Sequence, residues 1–114
     1  MRDRKLLQSI LRYVLALRKI NEDTKDLSND EFSESLEALA LSQCIINLYS
    51  MYYKFHNPKV QKELAFLNNN EITKFKNIAI YDYDALNWAN TRGISEAIAT
   101  RITDDYIQEL LMFK

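Results

Sequence analysis

Glycine and proline are almost missing from this sequence: Gly93 and Pro58 are the only ones among 114 residues. Strand-rich folds need many tight turns, and tight turns draw on those two residues, so long helices with few loops are the economical solution. A lone glycine also excludes the Gly-rich loops that cradle phosphates in nucleotide-binding α/β folds. One cysteine, Cys44, cannot form an internal disulfide, and with one histidine, His56, it cannot make a structural zinc site, which wants about four N or S ligands. No metal and no cofactor is expected. Long apolar runs are lacking too. The longest, Tyr13 to Leu17, is bracketed by Arg12 and Arg18 and falls far short of the roughly 18 residues of a spanning helix. Neither a signal peptide nor a membrane partner is expected, and the expected location is cytoplasmic. Charge of one sign is lacking overall. Fifteen Lys and Arg stand against 16 Asp and Glu, a net charge of -1, which excludes a surface that is basic throughout.

What is present is 47% apolar and 27% charged residues, the balance of one globular domain spanning residues 1–114. Leu6, Leu7, Ile10, Leu11, Val14, Leu17 and Ile20 recur every three or four positions and predict an amphipathic helix from Asp3 to about Ile20. Ser28 and Glu31, three apart, form a capping box that opens a second helical region running to about Phe55. That region is apolar on more than one side. In so short a chain the other helices can hardly surround it, which points to a homodimer seam at Tyr49, Met51, Tyr52 and Tyr53. Asn57-Pro58 reads as an N-cap and first helical residue, opening a short helix through Val60, Leu64 and Leu67. After a break at Asn68 to Asn70, helical spacing resumes from Glu71 to about Tyr81. A turn follows, with Asp84 as a candidate cap, and the last helix carries Ile94, Ile98, Ile102, Tyr106, Leu110 and Phe113 on one stripe, weakened at its start by Gly93. The predicted fold is all-α, an up-and-down antiparallel bundle of four to five helices.

Charge is distributed in blocks. Met1 to Lys19 is basic apart from Asp3, and Glu22 to Glu37 is acidic apart from Lys25. Such neighbours are expected to attract one another across an antiparallel helix pair. His56 reads as an imidazole near the last carbonyls of the second helical region.

Chemistry concentrates in Lys74 to Tyr83. On a helix, Phe75, Ile78 and Ala79 face the core while Lys74, Asn77 and Tyr81 share the polar side. By composition alone this reads as a solvated helix end, although ammonium, amide and phenol groups so gathered also suit phosphate contact and base stacking. The order of these features resembles a known family. The opening Arg2-Asp3-Arg4-Lys5-Leu6-Leu7, the Asp26-Leu27-Ser28 entry to Phe32, the Asn77-Ile78-x-Ile80-x-Asp82-Tyr83 segment and the closing Ile102 to Leu110 are similar to the HepT-like branch of the HEPN superfamily. The resemblance covers nearly the whole chain. It implies a small helical homodimer, the RNase toxin of a toxin–antitoxin pair whose antitoxin is a minimal nucleotidyltransferase. The family's signature is an Arg followed after four to six residues by His, commonly with x-Tyr behind it. Asn77 and Tyr83 fit, but Lys76 stands at the Arg position and Tyr81 at the His position. The resemblance therefore casts Lys76 and Tyr81 as the catalytic pair, Lys74 and Asn77 as RNA or phosphate contacts, and Tyr83 as the acceptor of AMP groups from the nucleotidyltransferase.

Those substitutions bear on the reaction. Metal-independent RNA cleavage moves protons near neutral pH, which His does with a pKa of about 6.5 and Tyr, near 10, does not. Lys also replaces a planar two-pronged phosphate clamp with a point charge. RNase activity is expected to be absent or impaired, which leaves a non-enzymatic dimerisation or protein-interaction module as the alternative.

Overall fold

The computed structural model describes residues 2–112, apart from the Arg2 side chain. Phe113, expected on the last stripe, lies outside the described residues. Those residues are all-helical with no strand: α1 (Arg2–Asp23), α2 (Asn29–Ser33), α3 (Leu36–Tyr52), α4 (Pro58–Glu63), α5 (Asn70–Tyr81), α6 (Trp88–Arg101) and α7 (Asp104–Leu111). Short 3-10 turns at Ala65–Asn68 and Tyr83–Ala85 flank α5.

Two expected helices are each divided, and a hydroxyl divides them both times. The Ser28 and Glu31 capping box is present, but it starts only the short α2. Ser35 then accepts from the Ala38 N–H and begins α3 afresh, while its own hydroxyl donates to the Phe32 carbonyl. In the last third, Ile102 turns extended and Thr103 accepts from the Tyr106 N–H, so α6 ends and α7 begins with Asp104 and Asp105 in its favourable first turn. Apolar residues stand on both sides of each break, so spacing alone does not reveal it; the caps decide the helix ends. Asn57 and Pro58 open α4 as the sequence predicts. Asn87, not Asp84, caps α6. His56 is also displaced from expectation: α3 stops at Tyr52, and His56 stands exposed in the link to α4.

α1 is the spine. It packs against α3, α6 and α7 through Leu7, Ile10, Val14 and Leu17, all fully buried. At about 25 cal/mol per Å² of apolar surface, each such side chain contributes roughly 1.5–3 kcal/mol. The pairing with α6 is antiparallel and polar-laced. Arg18 donates to the Ala99 carbonyl at 3.2 and 3.3 Å and to the Ile102 carbonyl, with Asp104 at 3.9 Å. Further along, Ser95 Oγ donates to Asn21 Oδ1 at 2.8 Å. At the other end, Arg92 donates to the carbonyls of Thr24 at 2.5 Å and Leu27 at 3.0 Å, and lies 4.6 Å over the Phe32 ring. Each arginine thus satisfies orphan carbonyls at the end of the other's helix or just past it. The N-terminus of α1 is tied down separately, since the Asp3 carboxylate accepts from the backbone N–H groups of His56 at 3.0 Å and Asn57 at 2.7 Å.

The two charge blocks do not embrace. Lys19 pairs with Asp23 at 3.2 Å and Lys25 with Glu22 at 2.8 Å, both local. The rest of the acidic block continues past the end of α1 into α2 and the start of α3, away from Arg4 and Lys5.

Gly93 sits exposed inside α6, and a Cβ added there meets nothing within 4 Å. Gly93→Ala is expected to raise stability by about 0.5–1 kcal/mol in urea unfolding, through lower entropy of the unfolded chain. Arg18→Ala strands two carbonyls at the α6–α7 junction, and the same measurement is expected to show a loss of about 2–3 kcal/mol.

Candidate functional site

α5 starts where Asn69 Oδ1 accepts from the Ile72 N–H at 2.8 Å, and it is held by buried Ile72 and Phe75. Ile78 and Ala79 are half-buried on the same side. The helix is continuous to Tyr81, so rotation of about 100° per residue sets Lys76 and Tyr81 about 140° apart. The two residues cast as a catalytic pair therefore face different directions.

Lys76 turns toward α3. Its ammonium lies 5.1 Å over the Tyr49 ring. The Tyr49 and Tyr53 hydroxyls are 3.3 Å apart, Tyr53 donates to Asn68 Oδ1 at 2.7 Å, and both rings meet edge to face. Tyr52 packs edge-on against Tyr53 with centroids 5.0 Å apart. The Tyr53 hydroxyl, the Thr73 hydroxyl and then the Lys76 charge draw the Tyr49 phenol below its ordinary pKa, while Tyr53 is raised in turn by Tyr49. Lys76 and the tyrosines of the expected seam thus form one cluster. Tyr49, Met51 and Tyr52 are half-buried against their own core, and only Tyr53 is largely exposed. The demand that α3 be covered on a second side is met in part by α5 and the 3-10 turn before it.

The other candidates stand elsewhere. Tyr81 is 85% exposed at the end of α5, and Asn77 is exposed on the flank it shares with Lys74. Lys74 borders a small cleft of about 80 Å³ between α5 and α6, with Asn87 and Asn90 on its far rim. Tyr83 lies in the turn after α5, its ring 5.5 Å edge-on from Trp88. Its hydroxyl is buried without a hydrogen-bond partner, as is the hydroxyl of Ser42 on α3. Burial pushes the Tyr83 phenol up. Nearby Ser42 eases the shift without reaching hydrogen-bond geometry, and Asp84 adds to it. An AMP group could reach that oxygen only after the turn opened.

Asn68 and Thr73 are parts of the tyrosine cluster that sequence reasoning missed. The four-residue step from Tyr49 to Tyr53 marks a shared face, but nothing local announces that Asn68 arrives opposite it. A second missed feature is Arg101, which stacks 4.0 Å over Phe66 beside a cavity of about 180 Å³. Among the described residues no three His, Cys, Asp or Glu side chains gather as metal ligands. Phenols, amides, hydroxyls and ammonium groups in this region can bind, stack and orient a ligand.

Tyr83→Phe removes a buried hydroxyl that has no partner, so thermal unfolding near neutral pH is expected to show a gain of about 0.5–1 kcal/mol. Because folding holds this phenol neutral, stability is unaffected by its titration below a pKa of about 10 and falls as pH rises from there through the elevated folded value. The variant should therefore lose less stability than the parent as pH is raised above about 10.

No family model, no curated protein and no solved structure matches this chain.

Proposed function

We propose that the chain is a HepT-like component of a toxin–antitoxin pair that acts in the cytoplasm by binding its minimal nucleotidyltransferase partner, and that it does not cleave RNA. The family part of this reading is supported by the resemblance of the opening helix, the entry to α2, the Asn77 to Tyr83 segment and the C-terminal helix, in that order along an all-helical chain. The loss of catalysis is carried by one observation: Lys76 is turned onto the Tyr49 ring while Tyr81 extends from another side of the same helix. A Lys in that position offers a charge to a passing phosphate but no fork, and the Tyr81 phenol, about 140° further round the helix, does not converge with it. Any RNA held by Lys74, Asn77 and Tyr81 would be bound rather than cut.

A second reading, a non-enzymatic dimerisation or protein-interaction module outside any toxin–antitoxin pair, is favoured by the exposed apolar side chains at the start of α3, where Leu36 is 81% and Leu39 53% exposed. No helix among the described residues is long and apolar enough to cross a membrane.

The test is a cleavage assay and a capture experiment on the same preparation. Incubation of the purified protein with tRNA and messenger-length RNA without metal is expected to leave both intact, and affinity capture from the native host is expected to retain a nucleotidyltransferase. Cleavage that disappears in Tyr81→Phe or Lys76→Ala would overturn the loss of catalysis. Capture without any nucleotidyltransferase, repeated with the partner gene co-expressed, would favour the second reading.

A further inference from the structure

Among helices of eight residues or more, α3 is set apart by its lack of charge. Glu37 is the one charged residue in its 17, although much of its outward side, Leu36, Leu39, Ala40, Gln43 and Ser50, is exposed. The charges collect at its ends instead. Past the N-terminus stand Asp30 and Glu34 on and after α2, together with Asp82 and Asp84, whose turn is drawn close because Trp88 packs edge-on against both Phe32 and Tyr83. Past the C-terminus stand Lys54, Lys59 and Lys62. Arg4 and Lys5 join them there because Asp3 is bonded to the backbone of His56 and Asn57. A net charge of -1 conceals two poles of opposite net sign, with Arg92 as countercharge at the acidic one and Asp3 and Glu63 at the basic one, joined by a helix whose one charge is Glu37. The poles lie at the two ends of a 17-residue helix, about 26 Å long at 1.5 Å per residue and some three times the roughly 8 Å Debye length at physiological salt, so they are largely screened from one another within one chain.

We propose that two copies of this chain pair antiparallel along the outward face of α3, each acidic end against the basic end of the other copy. The inference rests on the homodimer that the family resemblance implies and specifies its surface and register. Cys44 is the middle residue of α3, and Glu34 and Lys54 stand ten positions to either side of it. A two-fold axis passing at Cys44 sets Glu34 of each copy opposite Lys54 of the other, with Ala40, Gln43 and Asn47 between. Small and amide side chains there let two helices approach closely, and exposed Leu36 and Leu39 are covered at both ends. Such a pairing is self-complementary, as a closed two-fold dimer requires. A nucleic acid would satisfy the basic pole but leave the acidic pole and the leucines unmatched.

Sedimentation equilibrium on the full chain tests this. At low ionic strength a dimer is expected, weakening at about 0.5 M salt as contacts between exposed charges are screened. The single reversals E34K and K54E are each expected to raise the dissociation constant at least about tenfold. Combining them in one chain should bring it back to within about threefold of the parent, because the swapped charges meet again across the two-fold axis. All the positions involved are exposed, so circular dichroism should report unchanged helicity. A short bis-maleimide is expected to join two chains through Cys44, the sole thiol. A parent that stays monomeric at low salt, a dimer indifferent to both reversals, or a combined variant weaker than either parent reversal would overturn the proposal. So would a monomer that binds a single-stranded oligonucleotide through Lys54 and Lys59. RNA cleavage or a missing nucleotidyltransferase would refute the functional reading while leaving these outcomes unaffected.

Discussion

The antiparallel contact of α1 with α6 holds the rest in place, and two arginines set its register. Arg18 reaches the carbonyls of Ala99 and Ile102, and Arg92 those of Thr24 and Leu27, with the Asn21 and Ser95 bond between them. A guanidinium carries five donors in a fixed plane, so it can serve several carbonyls at a helix end that no side-chain cap reaches. In this chain glycine is absent from all helix C-termini. Long-range arginines do part of the work that a left-handed glycine commonly does elsewhere.

From that register the other placements follow. Arg92 lies on Phe32, Phe32 meets Trp88, and Trp88 meets Tyr83, so α2 and the turn after α5 are drawn to one end of the molecule. With that end held and Ser42 beside Tyr83, α5 runs antiparallel to α3 and delivers Lys76 to Tyr49. The direction of Lys76 is thus a consequence of how the last third of the chain docks. A lysine stacked on a phenol is also partly desolvated by it, which commits the ammonium to the tyrosine cluster rather than to the flank of Tyr81.

Much of the local structure was legible. Ser28 with Glu31, and Asn57 with Pro58, mark helix starts because their side chains or ring geometry act within three residues. The buried stripe of α1 follows from spacing alone. Ser35 and Thr103 were equally present in the sequence, yet the apolar residues on both sides of them hid the breaks; apolar spacing alone does not reveal whether the backbone pauses. The expected attraction between the basic and acidic blocks failed for a related reason. Neighbouring blocks in sequence end up at opposite ends of α1 when most of the acidic one continues beyond it.

The amino-acid sequence by itself determined that the chain is helical, where most helices begin, and which chemical groups the Lys74 to Tyr83 segment can bring to bear. Those properties come from backbone preferences and side-chain chemistry, which act over a few residues. Only the tertiary structure decided that Lys76 meets Tyr49, that the Tyr83 hydroxyl is closed off, and that the charges separate into two poles joined by α3. Each of these joins residues far apart in the chain, and such meetings depend on how whole helices cross, which no local spacing encodes.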